Sequence, residues 1–124
     1  MNSRDIIQAI KCYIALDGKM VIVAADGTYL GILSSDISHP ESICNSQGSY
    51  GSIYSFTSTQ NPHSLYGGTH GIYSPYNPHS LQPPQLIANN QNVGLLSTNS
   101  HLVGQQERHD LNIILGILLG ARWG

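Results

Sequence analysis

The chain has 124 residues, with five Lys or Arg against seven Asp or Glu and a formal net charge of −2. That length leaves room for one domain with a modest core, and that charge supplies no field to gather a nucleic acid or hold an anionic membrane surface. Charged residues make up only 10% of the chain, under half of the ~25% in an ordinary soluble domain, and Gly, Ser, Asn and Tyr fill the gap.

The N-terminus, Met1-Asn2-Ser3-Arg4-Asp5, is acidic at once, and its apolar residues are interrupted by Gln8, Lys11 and Asp17. No signal-peptide pattern is expected there. Cys12 and Cys44 lie far apart and match neither a metal spacing nor a secreted disulfide framework, so reduced thiols in a cytoplasmic protein are expected.

Ser3 can cap a first helix over residues 1–17, because its hydroxyl can accept from a free backbone N–H. Ile6, Ile10 and Tyr13 then share a face, with Ile7 and Ile14 alongside, and Asp17-Gly18 stops the helix. Residues 20–34 read as a hairpin: two apolar runs flank Asp26-Gly27, whose glycine supplies the positive φ of a tight turn. Residues 85–98 read as a second hairpin around polar Asn89-Asn90-Gln91-Asn92. Both close alike, Leu30-Gly31-Ile32-Leu33-Ser34 beside Val93-Gly94-Leu95-Leu96-Ser97, which predicts one four-stranded sheet. Gly31 and Gly94 are expected where another backbone or a ring comes close.

Between the hairpins, Ser42 to Gln106 contains no Asp, Glu, Lys or Arg and holds five of the seven tyrosines. Residues 42–84 are periodic. Ser42, Ser58 and Ser74 stand sixteen residues apart, as do Asn45, Asn61 and Asn77, and Tyr50-Gly51 returns as Tyr66-Gly67. Asn61-Pro62-His63-Ser64-Leu65 returns as Asn77-Pro78-His79-Ser80-Leu81 before Pro83-Pro84. A Gly/Ser/Asn-rich stretch can be a flexible linker. Fixed spacing and aromatic content favour ordered turns instead, in which short polar side chains satisfy nearby backbone groups and tyrosines pack on the sheet.

The order Tyr29-Leu30-Gly31, Ser42-Ile43-Cys44-Asn45, Tyr50-Gly51-Ser52-Ile53-Tyr54-Ser55, Tyr73-Ser74-Pro75-Tyr76-Asn77-Pro78, Pro83-Pro84 and Val93-Gly94 resembles a widespread family of small, uncharacterised bacterial proteins. The resemblance covers about residues 29 to 99. It implies a shared fold unit and a bacterial source and supplies no activity. Thr59-Gln60 departs from that pattern, where an Ile and an aromatic are usual, as do Gln47, His63 and His79, where a Tyr is usual.

His63 and His79 occupy equivalent positions with His70 between them, a set that could hold zinc, copper or nickel. The region has no carboxylate to complete a common mixed site, and the plainer expectation is that each imidazole replaces an aromatic ring against a turn. Fifteen serines make chance Ser/His proximity unavoidable, and no flanking motif selects a nucleophile and base. The glycine-rich segments lack the Lys or Arg of a phosphate loop.

Residues 110–123 are apolar on nearly every face of a helix, yet too short for a ~30 Å hydrocarbon core at ~1.5 Å per residue. Ile113, Ile114, Leu115, Ile117, Leu118, Leu119 and Trp123 must enter their own core or meet another copy, and a homo-oligomer is the expectation. The sequence thus predicts a single α+β domain over residues 1–124: two hairpins in one sheet, a sixteen-residue repeat segment, and N- and C-terminal helices. The expected function is a non-enzymatic structural or protein-interaction module without a cofactor. The alternative is a small-ligand or transition-metal binder using the repeat histidines.

Overall fold

The computed structural model describes residues 3–102 and 107–123. Helix α1 (Ser3–Ala15) precedes β1 (Met20–Val23) and β2 (Tyr29–Leu33). A long turn-built segment then leads to β3 (Gln85–Ala88), β4 (Gln91–Leu96), β5 (Arg108–His109) and helix α2 (Leu111–Trp123). The fold is α+β: one mixed sheet of order β2-β1-β3-β4-β5 with a helix from each end of the chain. No helix among the described residues is long and apolar enough to cross a membrane.

Both hairpins form, and they join through antiparallel β1–β3 pairing. In the first, Gly27 takes φ +90° while Ala24 N–H donates to Thr28 O at 2.8 Å. The second turn is shorter than the polar run suggested. Asn89 and Asn90, at φ 53° and 63°, complete a two-residue turn, so Gln91 and Asn92 belong to β4. The sheet also gains a strand that the sequence did not announce: β5 lies parallel to β4, pairing Leu95 with Arg108 and Leu96 with His109. Two polar residues carry no alternation from which a strand could be read.

Core side chains come from three sources. The sheet supplies Met20, Ile22, Leu30, Leu33, Leu86 and Leu96, helix α2 supplies Leu111, Ile114 and Leu118, and the connecting segment supplies Ile43 and Tyr66. Asp110 caps α2 by accepting the Asn112 N–H at 2.9 Å. At the other end, the Asp17 carboxylate accepts from Ser35 N–H and hydroxyl at 2.8 and 2.5 Å, tying the exit of α1 to the end of β2. The proposed Ser3 cap lies outside the described side chains. Tyr13 of α1 and Leu16 just beyond it pack against the core, whereas Ile7 and Ile14 are exposed.

The connecting segment is a coil of consecutive turns. N–H groups of Asn45, Gly48, Ser55, Ser58, Asn61, Ser64, Gly71, Ser74, Asn77 and Ser80 each donate to the carbonyl three residues back. Ser52 and Gly68 instead donate four back. Four steps of three residues and one of four therefore separate Ser42 from Ser58, and again Ser58 from Ser74, which is the physical origin of the sixteen-residue spacing. The side chains brace the same ladder. Asn45, Asn61 and Asn77 each donate from Nδ2 to a carbonyl six residues back at 3.0 Å. Their Oδ1 atoms accept the N–H of Gln47, His63 and His79 at 2.9–3.0 Å. Ser42, Ser58 and Ser74 accept the N–H two residues on. Gly51 and Gly67 follow from this closeness, since a Cβ on either would come within 2.4 Å of the Asn45 or Asn61 carbonyl oxygen.

Two tyrosines fasten the coil to the sheet. The Tyr50 ring meets Tyr29 of β2 edge to face at 5.2 Å. Tyr66, sixteen residues on, is buried and donates from its hydroxyl to Asp26 Oδ2 at 2.7 Å in the first hairpin turn, with Thr28 Oγ1 at 3.1 Å. That bond holds the Asp26 carboxyl below its usual pKa. The coil enters as a β2 edge cover, with Ile32 N–H donating to Glu41 O at 2.7 Å, and leaves against β4, where Leu96 N–H reaches Pro84 O at 2.9 Å.

Gly31 and Gly27 separate two demands made of glycine. At Gly31, φ is +106° and an added Cβ would lie 2.6 Å from the Tyr50 Cβ and 2.7 Å from Glu41 O, whereas at Gly27 φ is +90° and nothing lies within 4 Å. Gly31→Val should cost about 3 kcal/mol or more, combining strain with overpacking, and Gly27→Ala about 1 kcal/mol, as read by urea unfolding. Asn61→Ala removes one of the two bonds to the Ser55 carbonyl and strands the His63 N–H; a loss of about 1–3 kcal/mol is expected by the same measurement.

Candidate functional site

Two regions gather side chains that could contact a ligand or partner. One is the coil surface, where a shallow groove of about 230 Å³ is lined by residues from Pro62 to Gly71, including both His63 and His70. Both imidazoles are exposed. His79, sixteen residues beyond His63, is exposed and does not line this groove. The expected three-histidine set is thus not assembled, because the coil carries His63 and His79 on successive units. Among the described residues no three His, Cys, Asp or Glu side chains are grouped to hold a metal ion.

Along its length the coil also leaves large apolar side chains exposed. Tyr54 is 86% exposed, Leu81 79% and Phe56 64%, and Ile53, Leu65 and Ile72 are exposed as well. Phe56 and Ile72 are sixteen residues apart, as are Leu65 and Leu81, so they stand at equivalent places on successive units. The serine hydroxyls beneath are engaged with backbone: Ser42, Ser58 and Ser80 each donate to a carbonyl eight residues back.

The second region lies between α1 and the sheet, a pocket of about 160 Å³ lined by Cys12, Tyr13, Leu16, Met20, Leu86, Val93, Glu107 and His109. Its polar centre is a bond that brings the chain ends together: the Tyr13 hydroxyl lies 2.6 Å from His109 Nδ1, with the rings edge to face at 5.6 Å. Burial holds the His109 pKa below its ordinary value; nearby Glu107 opposes that shift and Arg108 adds to it. Burial, with Glu107 and then Cys12, pushes the Tyr13 phenol up. Near neutral pH a neutral phenol and an uncharged imidazole therefore share this bond, with Nε2 on the far side of the ring 3.7 Å from Glu107 Oε2. Gly94 leaves space for the ring, since a Cβ there would lie 2.8 Å from His109 Cδ2.

The residues expected at an oligomer interface divide. Ile114 and Leu118 are buried in the chain's own core, a correction to the interface expectation: with Leu111 they form the helix stripe that enters the buried cluster. Ile113 is exposed, Leu115, Ile117 and Leu119 are half-buried, and the Trp123 side chain lies outside the described ones. Neither Tyr13 nor His109 was singled out from the sequence; only the close approach expected at Gly94 pointed to that place. No protein-family model, curated protein or solved structure matches this chain.

The His109 shift gives a pH dependence of definite sign. A histidine pKa depressed in the folded state contributes stability that is complete above the unfolded value of 6.5 and is lost as pH falls through the folded one. Melting temperature should therefore fall between about pH 7 and pH 5, and His109→Gln should flatten that slope whatever its effect on the absolute melting point.

Proposed function

We propose that the protein is a non-enzymatic interaction module whose contact face is the outer surface of the turn coil, and that copies of the chain associate through it. The observation that supports this reading most directly is the set of Tyr54, Phe56 and Leu81 held in water on a backbone braced at every turn. An apolar display on a braced support loses little conformational entropy when it is covered. The face carries no charge, so identical copies meet without like-charge repulsion, and closed symmetry is the common outcome for identical chains. Engagement of the coil serines with backbone supports a structural rather than a nucleophilic use of those hydroxyls.

A cytoplasmic location and a bacterial source belong to the same proposal, supported by the cysteine pattern and by motif order over residues 29–99. Transition-metal binding is retained as a second reading because His63 and His70 share one groove. It predicts zinc, nickel or copper that follows the purified protein and is lost on His63→Ala.

Sedimentation velocity distinguishes the coil from the C-terminal helix as the contact. The triple variant Tyr54→Ser, Phe56→Ser, Leu81→Asn should shift the chain toward monomer by at least about tenfold in dissociation constant, equivalent to ~1.4 kcal/mol. Ile113→Glu should leave association unchanged. The reverse pattern, or a parent chain that stays monomeric at the highest soluble concentration, overturns the assignment.

A further inference from the structure

The pocket between α1 and the sheet is separate from the coil face and has a chemistry of its own. We infer that it binds a small primary amine with an apolar body, the body lodged against Leu16, Met20 and Leu86 and the ammonium at the mouth facing the Glu107 carboxylate. Its volume of about 160 Å³ suits a single ring or a short alkyl chain; an apolar protein cavity of ~150 Å³ accommodates benzene.

Charge selects the polar end. Glu107, whose side chain is 76% exposed, is the acidic residue at the mouth. Burial holds the pKa of His109 beside it below the ordinary value, so near neutral pH the imidazole does not oppose a cation. Arg108 does not line the pocket and donates from its guanidinium to the Ser97 carbonyl at 3.1 Å, and although its charge is felt at His109, Glu107 is the charged residue on the pocket wall. The influence of Glu107 also extends inward, since it contributes to the raised pKa of the Tyr13 phenol. The imidazole is a fixed wall rather than a mobile group, because Tyr13 holds it from one side and Gly94 provides the space it occupies. An anion would meet Glu107, and a neutral ligand would leave that carboxylate unused.

The test uses the full chain at low salt, with benzylamine as probe and benzyl alcohol as its neutral counterpart, followed by NMR shifts of the Tyr13, Gly94 and His109 amides. Benzylamine should bind with a dissociation constant on the order of 1 mM, as expected of a ligand this small. It should bind ~3-fold or more tighter than benzyl alcohol, the upper range for an exposed ion pair. Glu107→Gln should abolish that preference, and Val93→Phe, which fills the pocket from its partly exposed edge, should abolish binding of both while the melting temperature is kept. Equal binding of the two probes, a preference that survives Glu107→Gln, or no shift with either probe overturns the inference. If Val93→Phe does not fold, Glu107→Gln decides the matter alone, since it alters only an exposed side chain. Self-association is read separately by sedimentation, so failure here leaves the coil reading standing and the converse also holds.

Discussion

The structure depends on one constraint: about fifty residues between β2 and β3 run without helix or strand, and their backbone polar groups must still be satisfied. The solution is the bond from an Asn or Ser side chain to the chain's own backbone, repeated until it becomes a scaffold. Asn61 shows the economy of the device, because Nδ2 closes on the Ser55 carbonyl behind it while Oδ1 takes the His63 N–H ahead. Short side chains are required, since only they can bridge groups so near in sequence. Glycine is required wherever two strands of the coil approach, as Gly51 does against Asn45.

A scaffold of this kind frees apolar residues from the task of holding the segment together. Ile43 and Tyr66 enter the core and Tyr50 fastens the coil at β2, while Tyr54, Phe56, Ile72 and Leu81 stay outside. In an ordinary loop so many exposed large side chains would favour collapse; here the turn ladder fixes their direction. The same ladder explains the scarcity of charge, since Lys or Glu side chains would not provide the local backbone bonds on which each turn rests.

At the other end of the molecule the arrangement is built from long-range contacts. Residues 13 and 109 meet in a single hydrogen bond that joins α1 to β5, and burial keeps the imidazole neutral. The coil segment is uncharged and exposes several large apolar side chains, whereas the pocket is small, apolar and edged by the Glu107 carboxylate.

The sequence by itself determined what local chemistry controls. Asp26-Gly27 set the first hairpin and paired asparagines the second, because a tight turn demands positive φ at specified places. The sixteen-residue spacing was legible from serine and asparagine alone, although the five-step turn pattern beneath it was not, since N–H to carbonyl bonds leave no trace in residue type. Tertiary structure decided the rest. It placed Ile114 and Leu118 inside and Ile113 outside, a choice that a helix apolar on nearly all faces cannot make from its own pattern. It made a strand of Arg108 and His109, which only the β4 edge could recruit, and it brought His109 to Tyr13. Residues 96 apart in sequence carry no local signal of meeting; their contact exists because the sheet and α1 place them on either side of one pocket.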